Sequence, residues 1–520
     1  AADVGLAHPL FVEAVGRRLL PVEGSEVHAR LAEALSVDPA IPPAEVADHW
    51  RSAGRPDQEV SARVDAALAA SARYAYREEL DTWLRVLALW DEGHRPEDVD
   101  LWEVLVAGID AAIEAGDIDA SHDLAERASR LDLDELPVQS KAAVLHRLGS
   151  QRHEEDDSAG AVALMDQALG LLEPLEPSTE LLRLLEDRTG LLLQLGRQRE
   201  AIEQLDWSAE LLDVADARFR RRNRAAHVWK TFATTGDVDI AVETALRDLE
   251  EGSDVDPVAD LMIAANATDL LLCTAAPARR AEQVARRPLE VADAWDLQLS
   301  YPGVLVRTNV CWAHLLEGNS RAARSWVEPI TRSEPTLNTA FGHIMLAAVE
   351  LREGDVAAAA ARSRAADAQI RVHDQNWAVS LPWMAEIGLW AGRADDVRTM
   401  LADVLARDLA QELADAAAPL LVALARATAD VLDGTAASPD LRRSTAQALH
   451  ALVAGAHADP FGPGAHDAAT PARARLWAAE LARVEGRGTI EEWDRAATEW
   501  AALPRPHDAA YCRWRAAQCA

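Results

Sequence analysis

The sequence predicts an all-α chain of stacked helical hairpins, a solenoid whose unit is close to 40 residues. Three observations predict it. One helix–corner–helix pattern keeps returning, apolar residues flank each corner at helical spacing, and no alternating β-rich segment occurs in 520 residues. The corner reads "ATTGDVDIAVETAL" at 233–246. It returns as "EAGDIDASHDLA" (114–125), "QLGRQREAIEQL" (194–205), "LEGNSRAARSWV" (316–327), "REGDVAAAAARS" (352–363) and "WAGRADDVRTML" (390–401).

The corner glycines Gly116, Gly196, Gly236, Gly318, Gly354 and Gly392 are 80, 40, 82, 36 and 38 residues apart. The unit is therefore near 40, and two corners lack their glycine. The spacing puts these near Asp156, in "QRHEEDDSAGAVALMDQAL", and near Ala276, in "LCTAAPARRAEQVARRPLEVA". Extended backwards it reaches Tyr76, in "ARYAYREELDTWLRVLALW". Extended forwards it reaches Gly434, with a last corner around Gly486 in "VEGRGTIEEWDRAATEW".

Each part of the corner has a physical reason. Glycine supplies the left-handed residue that ends the first helix of the hairpin, helix A. Asp237 and Asp355, one residue on, suit the cap of the second, helix B. Small residues five positions past the glycine (Ala201, Ala241, Ala323, Ala359) let the two helices approach closely. Ile344, Leu346, Ala347, Val349 and Leu351 cover most of a helix circumference, as in a helix packed on both sides. A single hairpin cannot bury such faces alone, so neighbours stack. The logic is that of tetratricopeptide-like repeats, with helices longer than their unit of about 34 residues allows.

In chain order, residues 1–40 read as short helices, including "HPLFVEAVGRRLL" and "SEVHARLAEAL", and 41–100 as transition helices with a first hairpin. Residues 101–454 form the superhelix, and 473–520 the last repeats. Between them, "GAHADPFGPGAHDAATPA" (455–472) reads as a mobile surface loop because it is rich in Gly, Pro and Ala.

Bulk chemistry narrows the function. A net charge of −34 argues against duplex DNA and anionic membrane surfaces, so neither is expected as a direct partner. No run of about 18 apolar residues can span a bilayer. The start, "AADVGLAHPLFVEAV", has neither a basic region before an apolar block nor an initiator methionine, so a fragment without a secretory signal is expected. Cysteines 273, 311, 512 and 519 form no CxxC pair and read as buried thiols of a reducing cytoplasm. Lys141 and Lys230 are the only lysines, which with the abundant alanine points to GC-rich, bacterial codon usage.

Three stretches resemble one family. "HPLFVEAVGRRLL" followed by "VHARLAEAL" looks like the winged-helix end of the nucleotide-binding module in large ATP-binding LuxR-type transcriptional regulators, STAND-class proteins. "AEVADHWRSAGRPDQEVSARVDAALAASARYAYREELDTWLRVLALW" is similar to the passage into their helical repeats, and "HDAAYCRWRAAQCA" to a late repeat helix. The resemblance implies an ATPase before this region, a helix-turn-helix after it, and a middle part that receives an inducer or partner. A P-loop needs a lysine after glycine, and neither "VQSKAAV" nor "HVWKTFA" has one. ATP binding and DNA contact are therefore expected in flanking regions, with this chain contacting its own nucleotide-binding module.

No HExxH, GxSxG or Gly-rich phosphate loop is readable, so a non-enzyme with no metal and no cofactor is expected. The run "HEEDD" (153–157) reads as a solvated turn. "RFRRRNR" (218–224) offers Arg220, Arg221, Arg222 and Arg224 to an anion, or to acidic neighbours in the adjoining repeat. The best candidate groove lies on helix-A surfaces, which line the concave side of a tetratricopeptide-like superhelix. Its residues are Asn266, Arg307, Thr308, Asn309, Trp312, Asn338, His343, Trp377, Trp383 and Glu386, with Trp295, Trp326 and Trp390 nearby. Such aromatic and amide groups suit a small-molecule effector or a peptide, and they suit core filling equally. Pro382 implies that its helix A starts late or bends. The expected function is a sensor acting through a population shift; the alternative is a stand-alone peptide-binding adaptor or oligomerisation scaffold.

Overall fold

The computed structural model describes residues 20–155, 157–195, 197–214, 217–251, 256–295, 297–336, 338–370, 375–406, 417–455, 459–462 and 467–520. Among them every regular element is helical. The expected first helix at 8–20, apart from Leu20, and the corner positions Asp156 and Gly196 lie outside the described residues. The chain forms two compact units, residues 1–151 with 166–171, and residues 152–165 with 172–520.

In the first unit, α1 (Pro21–Leu35), α2 (Pro43–Ser52), α3 (Pro56–Ala72), α4 (Tyr76–Asp91), α5 (Leu101–Glu114) and α6 (Ile118–Ala128) each pack on the next. Leu80, Trp83, Val86, Leu105 and Ile109 form their core. Two further helices follow, α7 (Val138–Glu154) and α8 (Ser158–Leu172).

The second unit continues with hairpins written here as helix A then helix B. They are α9 (Thr179–Gln194) with α10 (Gln198–Glu210), α11 (Ala217–Thr235) with α12 (Val238–Glu251), and α13 (Pro257–Leu272) with α14 (Ala278–Ala294). Next come α15 (Tyr301–Leu316) with α16 (Ser320–Val327), α17 (Ala340–Arg352) with α18 (Val356–Asp367), and α19 (Gln375–Trp390) with α20 (Ala394–Ala406). Then come α21 (Ala417–Gly434) with α22 (Pro439–Ala454), α23 (Thr470–Val484) with α24 (Ile490–Ala501), and α25 (Pro506–Cys519). Every helix A from α9 to α21 packs on the next helix A, two elements along, so the A helices form one layer.

The corner is a Schellman turn joined to a side-chain cap. Gly116, Gly236, Gly318, Gly354, Gly392 and Gly486 all take the left-handed conformation. At Gly354, φ is +92°, and the next N–H, that of Asp355, donates 2.9 Å back to the Glu350 carbonyl. Asp355 then accepts 3.0 Å from the Ala358 N–H, opening α18. Asp117, Asp237 and Asn319 cap their helices in the same way. Ala201, Ala241, Ala323 and Ala359 are fully buried at the A–B crossing, as their position past the glycine requires.

The structure corrects several expectations. Gly434 closes α21, and the left-handed residue is Ala436, two positions on. At the Tyr76 corner the left-handed residue is Tyr74. The Ala276 corner needs none, because Pro277 caps α14 in an extended conformation. α19 runs unbroken from Gln375 through Pro382, so a late start is excluded; the ring removes one N–H from the ladder within a continuous helix. Within 455–472, Phe461 stacks on Trp477 at 5.7 Å, the Ala468 N–H donates 2.8 Å to the Cys273 carbonyl, and Thr470 already belongs to α23. Cys311 and Cys512 are buried, whereas Cys519 is exposed.

Ala359→Leu should destabilise the second unit by about 1–3 kcal/mol through overpacking of the α17–α18 crossing. Gly354→Ala should cost roughly 1 kcal/mol through the left-handed backbone alone. Urea denaturation of both variants checks the order.

Candidate functional site

Apart from Asn338 the sequence-predicted groove residues lie on the A layer, and Asn266, Asn309 and Glu386 join one helix A to another. The Asn266 side-chain amide on α13 donates 2.9 Å to the Ala225 carbonyl on α11. The Asn309 amide on α15 repeats this one step along, donating to the Ala265 carbonyl and the Thr268 hydroxyl of α13, each at 3.2 Å. Thr308 is fully buried and donates to the Val304 carbonyl of its own helix. Arg307 turns to Asp293 on α14 at 2.9 Å. Burial lowers the pKa of His343, and the neighbouring Arg362 charge lowers it further. Asn338 is not on a helix A; it sits in the turn before α17.

The tryptophans divide between core and surface. Trp312 meets Phe341 at 6.3 Å and Trp383 at 5.8 Å, both edge-on, which ties α15 to α17 and α19. Trp377 and Trp383 are buried in the same core. Trp326 packs against it from α16, and Trp295, 47% exposed, ends a helix B. α17 has no solvent-facing residue between Ala340 and Leu351, as its all-round apolar pattern predicted.

The arginine cluster finds its partners within the unit. Arg221 meets Asp260 at 2.6 Å, Arg222 meets Asp256 at 3.0 Å, and Arg224 meets Asp248 at 2.5 Å. Arg220 is exposed on the same helix. Burial pushes Asp260 up to about 6 in spite of Arg221. Asp256 and Asp260 are acidic neighbours of the adjoining repeat and Asp248 belongs to the same hairpin, so the pairs fasten α11 to α12 and α13.

What sequence reasoning missed is the occupant of the A layer. α25 lies across α19, α21 and α23, and each of these helices offers it one carboxylate. Glu386 on α19 receives the His507 ring Nε2 at 3.1 Å. Asp430 on α21 receives Arg515 at 2.8 Å. Glu480 on α23 accepts the Tyr511 hydroxyl, and Arg515 Nε donates 2.9 Å to that same oxygen. Each carboxylate is also held from its own layer. Arg352 on α17 grips Glu386 with two bonds of 2.9 Å, and Arg483 bridges Asp430 and Glu480. The guanidinium of Arg426 stands 5.0 Å over Trp390 and 4.3 Å over Tyr511. Trp390 and Trp514 meet at 5.8 Å along the edge of the contact.

The electrostatics follow from this geometry. Burial alone would raise the Glu386 carboxyl, but the Arg352 charge and the bonds from His507 and Arg352 hold it well below the usual range. Asp430 is likewise lowered against its burial by Arg483 and Arg515. Burial raises the Tyr511 hydroxyl, and the Glu480 charge adds to that, so it stays a donor. The signal in the sequence was the two-sidedness of "HDAAYCRWRAAQCA". His507, Tyr511 and Arg515 recur every fourth residue, opposite the small residues Ala509, Cys512 and Ala516.

No protein-family model matches this chain, and no curated protein matches it. Solved structures do. One is a signal transduction ATPase with numerous domains (STAND) with a tetratricopeptide repeat sensor from Pyrococcus horikoshii, at 13% identity and a TM-score of 0.39, covering 73% of this chain and 56% of that one. This chain thus spans little more than half of that protein's length. The APC/C hetero-tetramer matches at 12% identity and a TM-score of 0.39, covering 97% and 94%. A pentatricopeptide repeat protein in complex with an 18-nucleotide RNA element matches at 13% and 0.25, covering 98% and 88%. At these scores the fold assignment rests on this chain's own helix packing. Among the described residues no helix is long and apolar enough to cross a membrane.

Glu386→Gln should destabilise the second unit by roughly 2–3 kcal/mol, less than for a fully enclosed pair because the carboxylate keeps 20% exposure. A depressed carboxyl contributes stability above its ordinary value of 4.5, and that contribution fades as pH falls through its lower folded value. Melting curves should therefore fall more steeply with acid below pH 4.5 in the native chain than in the Gln variant.

Proposed function

We propose that this chain is a non-catalytic binding domain, the sensor and signal-transducing part of an ATP-dependent LuxR-type transcriptional regulator. One observation carries the binding reading: the A layer presents three carboxylates from three successive helices, all gripping one polypeptide helix. A surface built this way recognises charge and shape, and nothing in its arrangement activates a nucleophile. Because the group it holds is a helix, a protein or peptide partner fits it better than a sugar.

The mechanism is a population shift. Successive A helices are joined by side-chain amide hydrogen bonds, ion pairs and a shared apolar core, so a ligand that prefers one spacing of the layer favours it by its differential affinity. The change would reach the nucleotide-binding module through the same stack. The regulator context draws on the sequence resemblance at residues 1–90, and it expects a P-loop module and a helix-turn-helix encoded on either side in the full gene. A gene with neither supports the adaptor reading.

Melting temperature followed against peptide and metabolite panels tests the binding claim, because a ligand of the folded state raises it. Trp383→Ala should weaken a ligand found this way at least tenfold, since Trp383 carries both Arg352 and Trp312. Unchanged affinity in that variant would place the ligand elsewhere.

A further inference from the structure

We propose that α25 is a replaceable occupant of a helix-recognition surface on α19, α21 and α23, which binds in trans a partner's amphipathic helix carrying a basic and aromatic stripe. The stripe is the one α25 displays: a cationic or hydrogen-bonding group at each of positions i, i+4 and i+8, matching His507, Tyr511 and Arg515.

The two faces of α25 differ in kind. Ala509, Cys512 and Ala516 are buried with Trp493, Ala496 and Trp500 of α24 and with Leu476 and Ala479 of α23, an apolar contact with the adjoining hairpin that also takes in the Tyr511 ring, edge-on to Trp493 at 6.1 Å. The opposite face meets α19 and α21 through ion pairs, ring contacts and the cation of Arg426. Separating such a polar contact exposes groups that water solvates, so it costs less than opening an apolar core of equal area. Its rim is already wet: Trp390 is 37% exposed and Trp514 44%.

The receptor side is organised without α25. Arg352 holds Glu386, while Arg483 holds Asp430, Glu480 and Asp433. Arg442 adds a second bond to Asp433 at 2.9 Å. Departure of α25 therefore leaves the carboxylates paired with fixed arginines and still able to accept. The connection to α24 is short, from Ala502 to Arg505, and contains Pro504. An incoming helix must displace α25 from its charged face, and Pro506 from beside Gly318 at the α15–α16 corner, but it need not disturb the corners of α9 to α14.

The inference rests on the binding reading above. A ligand that depends on Trp383 but leaves α25 in place would sink this inference and spare that reading. The test uses the full chain and a fluorescein-labelled peptide of residues 505–520, followed by anisotropy. Arg515→Glu sets a negative charge against Asp430 and loosens the cis helix. That variant should bind the peptide at least tenfold more tightly than the native chain, and a peptide carrying the same substitution should not bind. Amides of 509–519 should exchange at least tenfold faster in the variant, with those of α11 to α14 unchanged. Tyr511→Phe, which removes only one hydroxyl, should show the same trend if the first variant fails to fold. Exchange in α25 that never departs from that of α23, or a loosened α25 with no uptake of peptide, overturns the proposal. So does dimerisation by exchange of α25 between copies in place of peptide uptake.

Discussion

The close approach of helices A and B at fully buried alanines is the constraint on which the rest of this structure depends. Ala201, Ala241, Ala323 and Ala359 have side chains too small to hold the helices apart. The corner before Ala241, Ala323 and Ala359 fixes where the crossing falls. A left-handed glycine, a bond back across the helix end and an Asp or Asn cap turn the chain within two residues. Longer side chains at the crossing would open the hairpin and move every helix A relative to the next. The layer of A helices, and with it the position of each carboxylate, follows from these small distances.

Within that layer polar residues do two different jobs. Asn266 and Asn309 reach back to the preceding helix A and satisfy backbone carbonyls that the helix interior leaves free on one side. Glu386, Asp430 and Glu480 instead combine a fixed arginine in the layer with a donor on α25. The first set makes the layer continuous. The second gives it a chemical identity, an acidic surface lined by arginine and tryptophan that holds the basic, aromatic stripe of α25.

Much of the fold was legible because its signals are local. A Gly-Asp corner, an alanine five residues later and an all-round apolar run at 344–351 each depend on neighbours close in sequence. The departures are local too. Ala436 and Tyr74 take a left-handed turn that glycine ordinarily provides, and Pro382 sits inside a helix whose packing outweighs one missing bond. The candidate site was legible only in part. The A-helix surface and Glu386 could be found from the repeat. Their partners could not, because His507 lies 121 residues from Glu386 and Arg515 lies 85 from Asp430. No spacing rule connects such positions; only the stacking of the intervening hairpins brings them together.

The central claim is that α25 is held on the A layer by specific charge pairs and not merely by its attachment to α24. A double-mutant cycle on Asp430 and Arg515, each replaced by alanine and followed by urea denaturation, measures this most directly. A coupling of about 1 kcal/mol or more between the two positions is the predicted result. Additive effects, with no coupling between α21 and α25, would contradict the account.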